Sequence, residues 1–171
     1  MYSPVINSNN TLKGYNTDGK GFLYALTQHA NIDIINKNIS IIGVGGSAKA
    51  IALTLASHPI QTLTLINRSP KRMTLLATRI KSLFPNLTLK TYLNNDPQIT
   101  NILSNTDIVI SMLPASMHFI VANDCVRLKK DLVTASYISK EIAELDESAK
   151  KAGVLLLNEI GLDPGIDHMS A

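Results

Sequence analysis

Between residues 39 and 158 the chain repeats one pattern: a short apolar run, a segment of helix length, then another short apolar run. The runs are Ile39–Gly43, Leu63–Ile66, Leu87–Thr91, Asp107–Met112, Asp131–Ala135 and Val154–Asn158, and the segments between them are 46–57, 70–83, 96–104, 117–128 and 139–151. Runs of four to six apolar residues are too short for core helices and fit strands buried on both faces. Strands separated by helices cannot pair as hairpins. They pair in parallel through right-handed crossovers, which puts helices on both faces of the sheet. The expected fold is therefore α/β, a doubly wound parallel sheet of about six strands in the order 3-2-1-4-5-6. At 171 residues, with apolar residues at 45% and charged residues at 17%, the chain has the size and content for one such core. Ahead of the pattern, residues 1–15 read as a loop or short edge hairpin. Residues 18–30 read as a helix with Phe22, Leu23 and Leu26 on one face and Thr17 or Asp18 as its cap.

The first strand opens into Gly43-Val44-Gly45-Gly46-Ser47-Ala48-Lys49-Ala50. A glycine string carries meaning only in context, and here it follows a strand and starts a helix. Gly43 allows a sharp turn. Gly45 lets the backbone approach a pyrophosphate. The helix beginning near Gly46 and Ser47 offers unpaired N–H groups and the positive end of its dipole. Ala48 stands where a third glycine is common and is small enough for close helix–strand packing. This is the pattern of a dinucleotide-binding, Rossmann-like fold; the plainer alternative is an ordinary tight turn.

The second strand ends in Asn67-Arg68-Ser69-Pro70-Lys71-Arg72. A carboxylate at this position would hold a free ribose diol and repel a 2′-phosphate. There is none. Arg68 and Arg72 instead offer permanently charged planar guanidinium groups, and Ser69 adds a hydroxyl. The expected cofactor is thus NADP(H); a solvated helix start with incidental charges is the rival reading. At the end of the fourth strand Ser111, Met112 and Leu113 are expected to line the crevice beside the nicotinamide ribose.

Other features exclude more than they propose. The net charge of +3 and pI near 9.0 suit an anionic cofactor, but Lys and Arg are scattered, which argues against nucleic acid. The single Cys125 makes no internal disulfide and sits in an apolar-periodic run, so it reads as core. No Cys/His spacing suggests a metal, no run is long enough to span a membrane, and the N-terminus lacks a basic start and an apolar stretch. A cytoplasmic location is the default expectation. His118 near a helix start reads as structural, and His29 and His58 as helix-end charges. Lys20 and Lys49 read as solvated.

Two family resemblances follow. Gly14-Tyr15-Asn16-Thr17-Asp18-Gly19-Lys20-Gly21-Phe22, the glycine loop and Asn67-Arg68-Ser69 together resemble the shikimate dehydrogenases over about residues 5–90. That resemblance implies Asp18 as half of a carboxylate–lysine catalytic pair and Asn16 in the segment joining two domains. The matching lysine and the substrate domain that precedes it in that family are not in this chain. Asp107–Pro114, His118, Leu132–Ser139 and Asn158-Glu159-Ile160-Gly161-Leu162-Asp163-Pro164-Gly165-Ile166-Asp167-His168 resemble the glutamate-forming, NADP-dependent saccharopine dehydrogenases over about 105–171. That resemblance implies reduction of the imine between glutamate and aminoadipate semialdehyde, with Asp163 and His168 near the cofactor–substrate crevice. The chain thus reads as a composite, or a shortened form, of two families sharing one cofactor architecture.

The expected organisation is an N-terminal segment and interdomain-type helix over 1–38, an NADP-binding domain over 39–160, and a hinge over 161–171 leading to an absent substrate domain. The expected function is the cofactor domain of an oxidoreductase, saccharopine-type first and shikimate-type second. A nucleotide-binding module without catalysis is the alternative from another class. The expected partners are a small-molecule substrate, supplied by a missing domain or second chain, and a further copy of the chain, through surface around 14–26 and 160–171.

Overall fold

A computed structural model describes residues 2–6 and 12–160. The chain opens with an antiparallel pair, β1 (Tyr2–Ile6) and β2 (Leu12–Asn16), in which Tyr2 lies opposite Asn16. Helix α1 (Asp18–Tyr24) follows and runs into one wider, π-wound turn over Ala25–His29. The alternating region then runs β3 (Asn38–Ile42), α2 (Gly46–Ala56), β4 (Thr62–Asn67), α3 (Pro70–Leu83), β5 (Thr88–Leu93), α4 (Ile99–Ser104) and β6 (Ile108–Ser111). A 3₁₀ turn over Ala115–Met117 leads to α5 (His118–Leu128), β7 (Asp131–Thr134), α6 (Lys140–Ala143), α7 (Asp146–Ala152) and β8 (Leu156–Leu157).

The main sheet has six strands in the order β5-β4-β3-β6-β7-β8, and every pairing is parallel. Counted from β3, this is the 3-2-1-4-5-6 order expected from the alternation. Side chains alternate between two faces, as the pleat requires. Ile39, Ile41, Leu63, Leu65, Ile108 and Ile110 join one core with Phe22 of α1, Leu26 of the π-wound turn, Ile51 and Leu55 of α2, and Leu76 and Ile80 of α3. Ile42, Ile66, Val109 and Leu132 join the other with Leu103 of α4, Val121, Ala122 and Cys125 of α5, and Ile142 of α6. Carboxylates tie the strand starts: Asp107 Oδ2 accepts from the Asn38 N–H at 2.8 Å, and Asp131 Oδ1 from the Leu155 N–H at 2.9 Å. Strand order reverses at the β3–β6 boundary, the place where open sheets of this kind leave a crevice beyond their carboxyl ends.

The structure corrects several boundaries. Thr17 stands at the N-cap of α1 without capping it through its side chain, and Asn16 Oδ1 accepts from the Asp18 N–H at 3.0 Å. The helix expected from residue 96 starts at Ile99, because the Asp96 carboxylate takes the Gln98 N–H into a turn of its own. The helix expected over 139–151 is two short ones, the first capped by Ser139, whose hydroxyl accepts from the Ile142 N–H. The last strand pairs over two residues only.

Candidate cofactor site

The glycine turn is built by contacts that allow no side chain at its apex. Gly43 has φ +99°, a left-handed conformation, and its N–H donates to the Ile66 carbonyl at 2.8 Å. A Cβ there would lie 2.6 Å from the Met112 carbonyl oxygen. Met112 is itself held to β3, its N–H donating to the Ile42 carbonyl at 2.8 Å. Gly45 is the N-cap of α2 in extended geometry, and no side chain caps the helix. The first intrahelical bond runs from the Lys49 N–H to the Gly45 carbonyl, so the amides before it face outward. Cβ atoms placed at Gly45 and Gly46 would meet nothing within 4 Å. These two glycines border open space, and the uncapped helix end offers donors to it, so the residues fit a bound pyrophosphate.

Between this turn and the ends of β4 and β6 lies a crevice of about 350 Å³. Gly43, Val44 and Gly45 form its base. Asn67, Arg68, Arg72 and Asn94 form one end, and Met112, Leu113, Pro114 and Met117 the other. Local sequence explains the arginine end. Asn67 Nδ2 donates to the Ser69 carbonyl at 3.1 Å, the Ser69 hydroxyl accepts from the Arg72 N–H, and Pro70 takes the first helical position. This sharp turn into α3 leaves Arg68 and Arg72 exposed over the same space, and no carboxylate lines the crevice among the described residues.

The remaining candidates fall elsewhere. Ala48 is buried against the core, and Ser47 is half-buried in the first turn of α2. Ser111 does not line the crevice: it is fully buried, and its hydroxyl is engaged by His118. That corrects its expected place: the last residue of β6 faces His118 at the start of α5, while Met112 and Leu113 line the crevice. Asn16 ends β2 and Asp18 begins α1, which crosses α2 at Ala50 and Thr54, beyond the glycine turn. Asp163 and His168 lie outside the described residues. Asn94 was not anticipated. Its position follows from register, because Asn67 pairs with Leu93 and the residue just past β5 must emerge beside Arg68.

His118, the first residue of α5, is 1% exposed and lies among hydroxyls. Its Nδ1 is 2.8 Å from Ser111 Oγ and its Nε2 2.7 Å from Ser136 Oγ, with Thr134 Oγ1 at 3.5 Å. Burial pushes the imidazole below the ordinary histidine range, against a weaker opposing pull from the Leu113 backbone. The unfolded chain then takes up this proton at higher pH than the folded one. Stability is full above about pH 6.5 and is lost as pH falls through that value toward the folded pKa. We expect the melting temperature to drop between pH 7.5 and 5.5 by more in the wild type than in His118→Gln; equal drops would refute a neutral buried imidazole. The Cys125 thiol is pushed up to about 12 by burial, with Asp124 and Asp131 adding to the effect, so it is a packed neutral thiol and not a nucleophile.

Among the described residues no three His, Cys, Asp or Glu side chains are grouped to hold a metal, and no helix is long and apolar enough to cross a membrane. Comparison with known proteins decides the family. Residues 39–157 match the family model described as saccharopine dehydrogenase NADP binding domain. The chain belongs to this family. It is 58% identical over 69 residues to the α-aminoadipic semialdehyde synthase of Arabidopsis thaliana, covering 40% of this chain and 6% of that protein. It is 36% identical over 137 residues to the NADP-dependent, L-glutamate-forming saccharopine dehydrogenase of Saccharomyces cerevisiae, covering 80% of this chain and 30% of that enzyme. The chain thus spans under a third of the length of either relative. Among solved structures, shikimate 5-dehydrogenase from Listeria monocytogenes, in complex with shikimate and NAD, superposes with a TM-score of 0.75 at 22% identity, over 92% of this chain and 57% of that one. At that identity the likeness is one of fold. The cofactor read from Arg68 and Arg72 is also the one this NADP-binding domain family is named for.

Proposed function

We propose that residues 39–160 hold NADP(H) and present its nicotinamide to a substrate that another domain or a second chain supplies. In this reading the glycine turn and the start of α2, through Gly43, Gly45, Gly46, Ser47 and Ala48, carry the pyrophosphate. Asn67, Arg68, Ser69 and Arg72 hold the 2′-phosphate, and Met112 and Leu113 support the nicotinamide half. The observation that carries the reading is the crevice itself, with two arginines at one end, an uncapped helix in the middle and no carboxylate. The cofactor would supply or accept a hydride; the protein orients it and excludes water.

For the chemistry we favour saccharopine-type imine reduction, on the strength of the family match over 39–157. Residues 161–171, with Asp163 and His168, would then be the hinge toward a substrate domain. The second reading is shikimate-type. It is favoured by the Asn16-Thr17-Asp18 motif at the head of α1, with Asp18 as a proton-relay carboxylate and residues 1–38 as the interdomain segment. A nucleotide-binding module without turnover is the outcome if neither substrate class reacts. We further propose a cytoplasmic protein that self-associates through the surface around α1, where Tyr24 is 61% exposed.

Calorimetric titration of the purified chain with NADPH and NADH, repeated with Arg68→Ala, tests the cofactor assignment. A charge-assisted hydrogen bond to phosphate is worth roughly 1.5–3 kcal/mol, so NADPH should bind about 10- to 100-fold tighter than NADH. Arg68→Ala should erase most of that preference while leaving NADH binding unchanged. A preference that survives in the mutant would remove Arg68 from the 2′-phosphate site.

A further inference from the structure

We propose that His118 is a positioning residue for the nicotinamide end of the crevice, acting as a cross-bolt between the carboxyl ends of β6 and β7. The inference rests on the crevice reading above and goes beyond it. His118 itself lines no part of the crevice; it sits beneath the wall formed by Met112, Leu113, Pro114 and Met117. That wall has two anchors. At its start Ser111, the last residue of β6, holds His118 Nδ1 at 2.8 Å, and at its finish His118 follows Met117 directly in the chain. The six intervening residues are therefore pinned at both ends by one side chain.

The other ring nitrogen extends the bolt. Nε2 meets the Ser136 hydroxyl at 2.7 Å, just past the end of β7. A neutral imidazole has one donor and one acceptor, so one serine donates to the ring and the other accepts from it. Serine hydroxyls serve either role, so both ring nitrogens are satisfied within the fold. Ser136 is tied onward: its carbonyl accepts from the Glu159 N–H at 3.1 Å, and the Glu159 carboxylate accepts from the Ile138 N–H at 3.2 Å. Glu159 has φ +60°, a left-handed conformation unusual for a side chain of its size, maintained by those two bonds. One chain of contacts thus runs from the crevice wall through His118 and Ser136 to the segment that leads on to residues 161–171.

The arginine end of the crevice shares none of these contacts, and that separates positioning from general support. The test compares NADPH with adenosine 2′,5′-bisphosphate, which carries the adenine and 2′-phosphate but no nicotinamide. Both are titrated into the full chain, the His118→Leu variant and the Ser136→Ala variant. Ser136 is only half-buried, so its variant folds even if the His118 one does not. Loss of a buried hydrogen bond should weaken NADPH by about tenfold, with bisphosphate affinity unchanged, and His118→Gln, which keeps a donor and acceptor near Nε2, should recover part of the loss. Equal weakening of both ligands, or no weakening of NADPH, would overturn the positioning role and leave the crevice reading standing. Wild type binding neither ligand would fail the crevice reading, and the positioning role with it.

Discussion

Gly43→Ala is expected to cost about 2–5 kcal/mol of folding stability, the sum of a left-handed backbone penalty and an overpacked contact. The left-handed penalty comes from φ +99°, where an L side chain crowds its own backbone. Overpacking arises because the new methyl carbon would lie 2.6 Å from the Met112 carbonyl oxygen and 2.9 Å from its carbon. These are backbone atoms, and Met112 is tied to Ile42 by its N–H, so no rotamer change relieves them. The neighbouring Gly45→Ala makes the contrast. Its Cβ would touch nothing within 4 Å, so stability should change by less than about 1 kcal/mol, the usual range for a helix-cap substitution. Yet the methyl enters the space assigned to the pyrophosphate, and NADPH binding should be lost. Urea unfolding and NADPH titration of both variants decide the matter. A Gly43→Ala protein as stable as the wild type, or a Gly45→Ala protein that binds as well, would contradict this account of the turn.

Gly19→Ala is expected to destabilise the protein by about 1–3 kcal/mol, against the usual rule that alanine improves a helix. Helix α1 crosses α2 at this residue. A Cβ would overlap Thr54 Oγ1 and lie 2.6 Å from the Ala50 carbonyl oxygen. The threonine can rotate, but the carbonyl belongs to the middle of a helix and cannot. To make room α1 must lift from α2, and with it Phe22 and Leu26, both fully buried in the core beneath. Adding Thr54→Ala separates the two contacts: the double variant should remain less stable than Thr54→Ala alone, because the backbone clash persists. Equal stability of those two proteins in thermal melts would show that only the threonine mattered.

Gly19 also shows where sequence reading stopped. The Gly14–Phe22 motif carries a family resemblance, and the role that resemblance implies falls on its aspartate, Asp18. The structural demand at Gly19 is a contact with residues 50 and 54, more than thirty positions along the chain. No local pattern encodes the distance between two helix axes. Ser111 is a similar case. Its place at the end of β6 suggested the crevice, but a one-residue difference in where a strand ends reverses which way a side chain points. Asn94 lay hidden for the opposite reason. It follows a mostly exposed edge strand without a motif, and only the pairing of β5 with β4 brings it beside Arg68.

The alternation of apolar runs and helical segments was enough to determine a parallel, doubly wound sheet and its strand order, because strands so spaced have few allowed connections. Composition and the Gly43–Gly46 turn were enough to determine that an anionic dinucleotide was the ligand to expect, and Arg68 with Arg72 pointed to its 2′-phosphate. These are local properties: period, conformational freedom and charge can be read along the chain. Tertiary structure alone decided what depends on distance between separated segments: the crossing of α1 and α2 at Gly19, the burial of Ser111, and the bolt joining His118 to Ser111 and Ser136. Such contacts are set by packing, and their partners leave no periodic mark in the sequence.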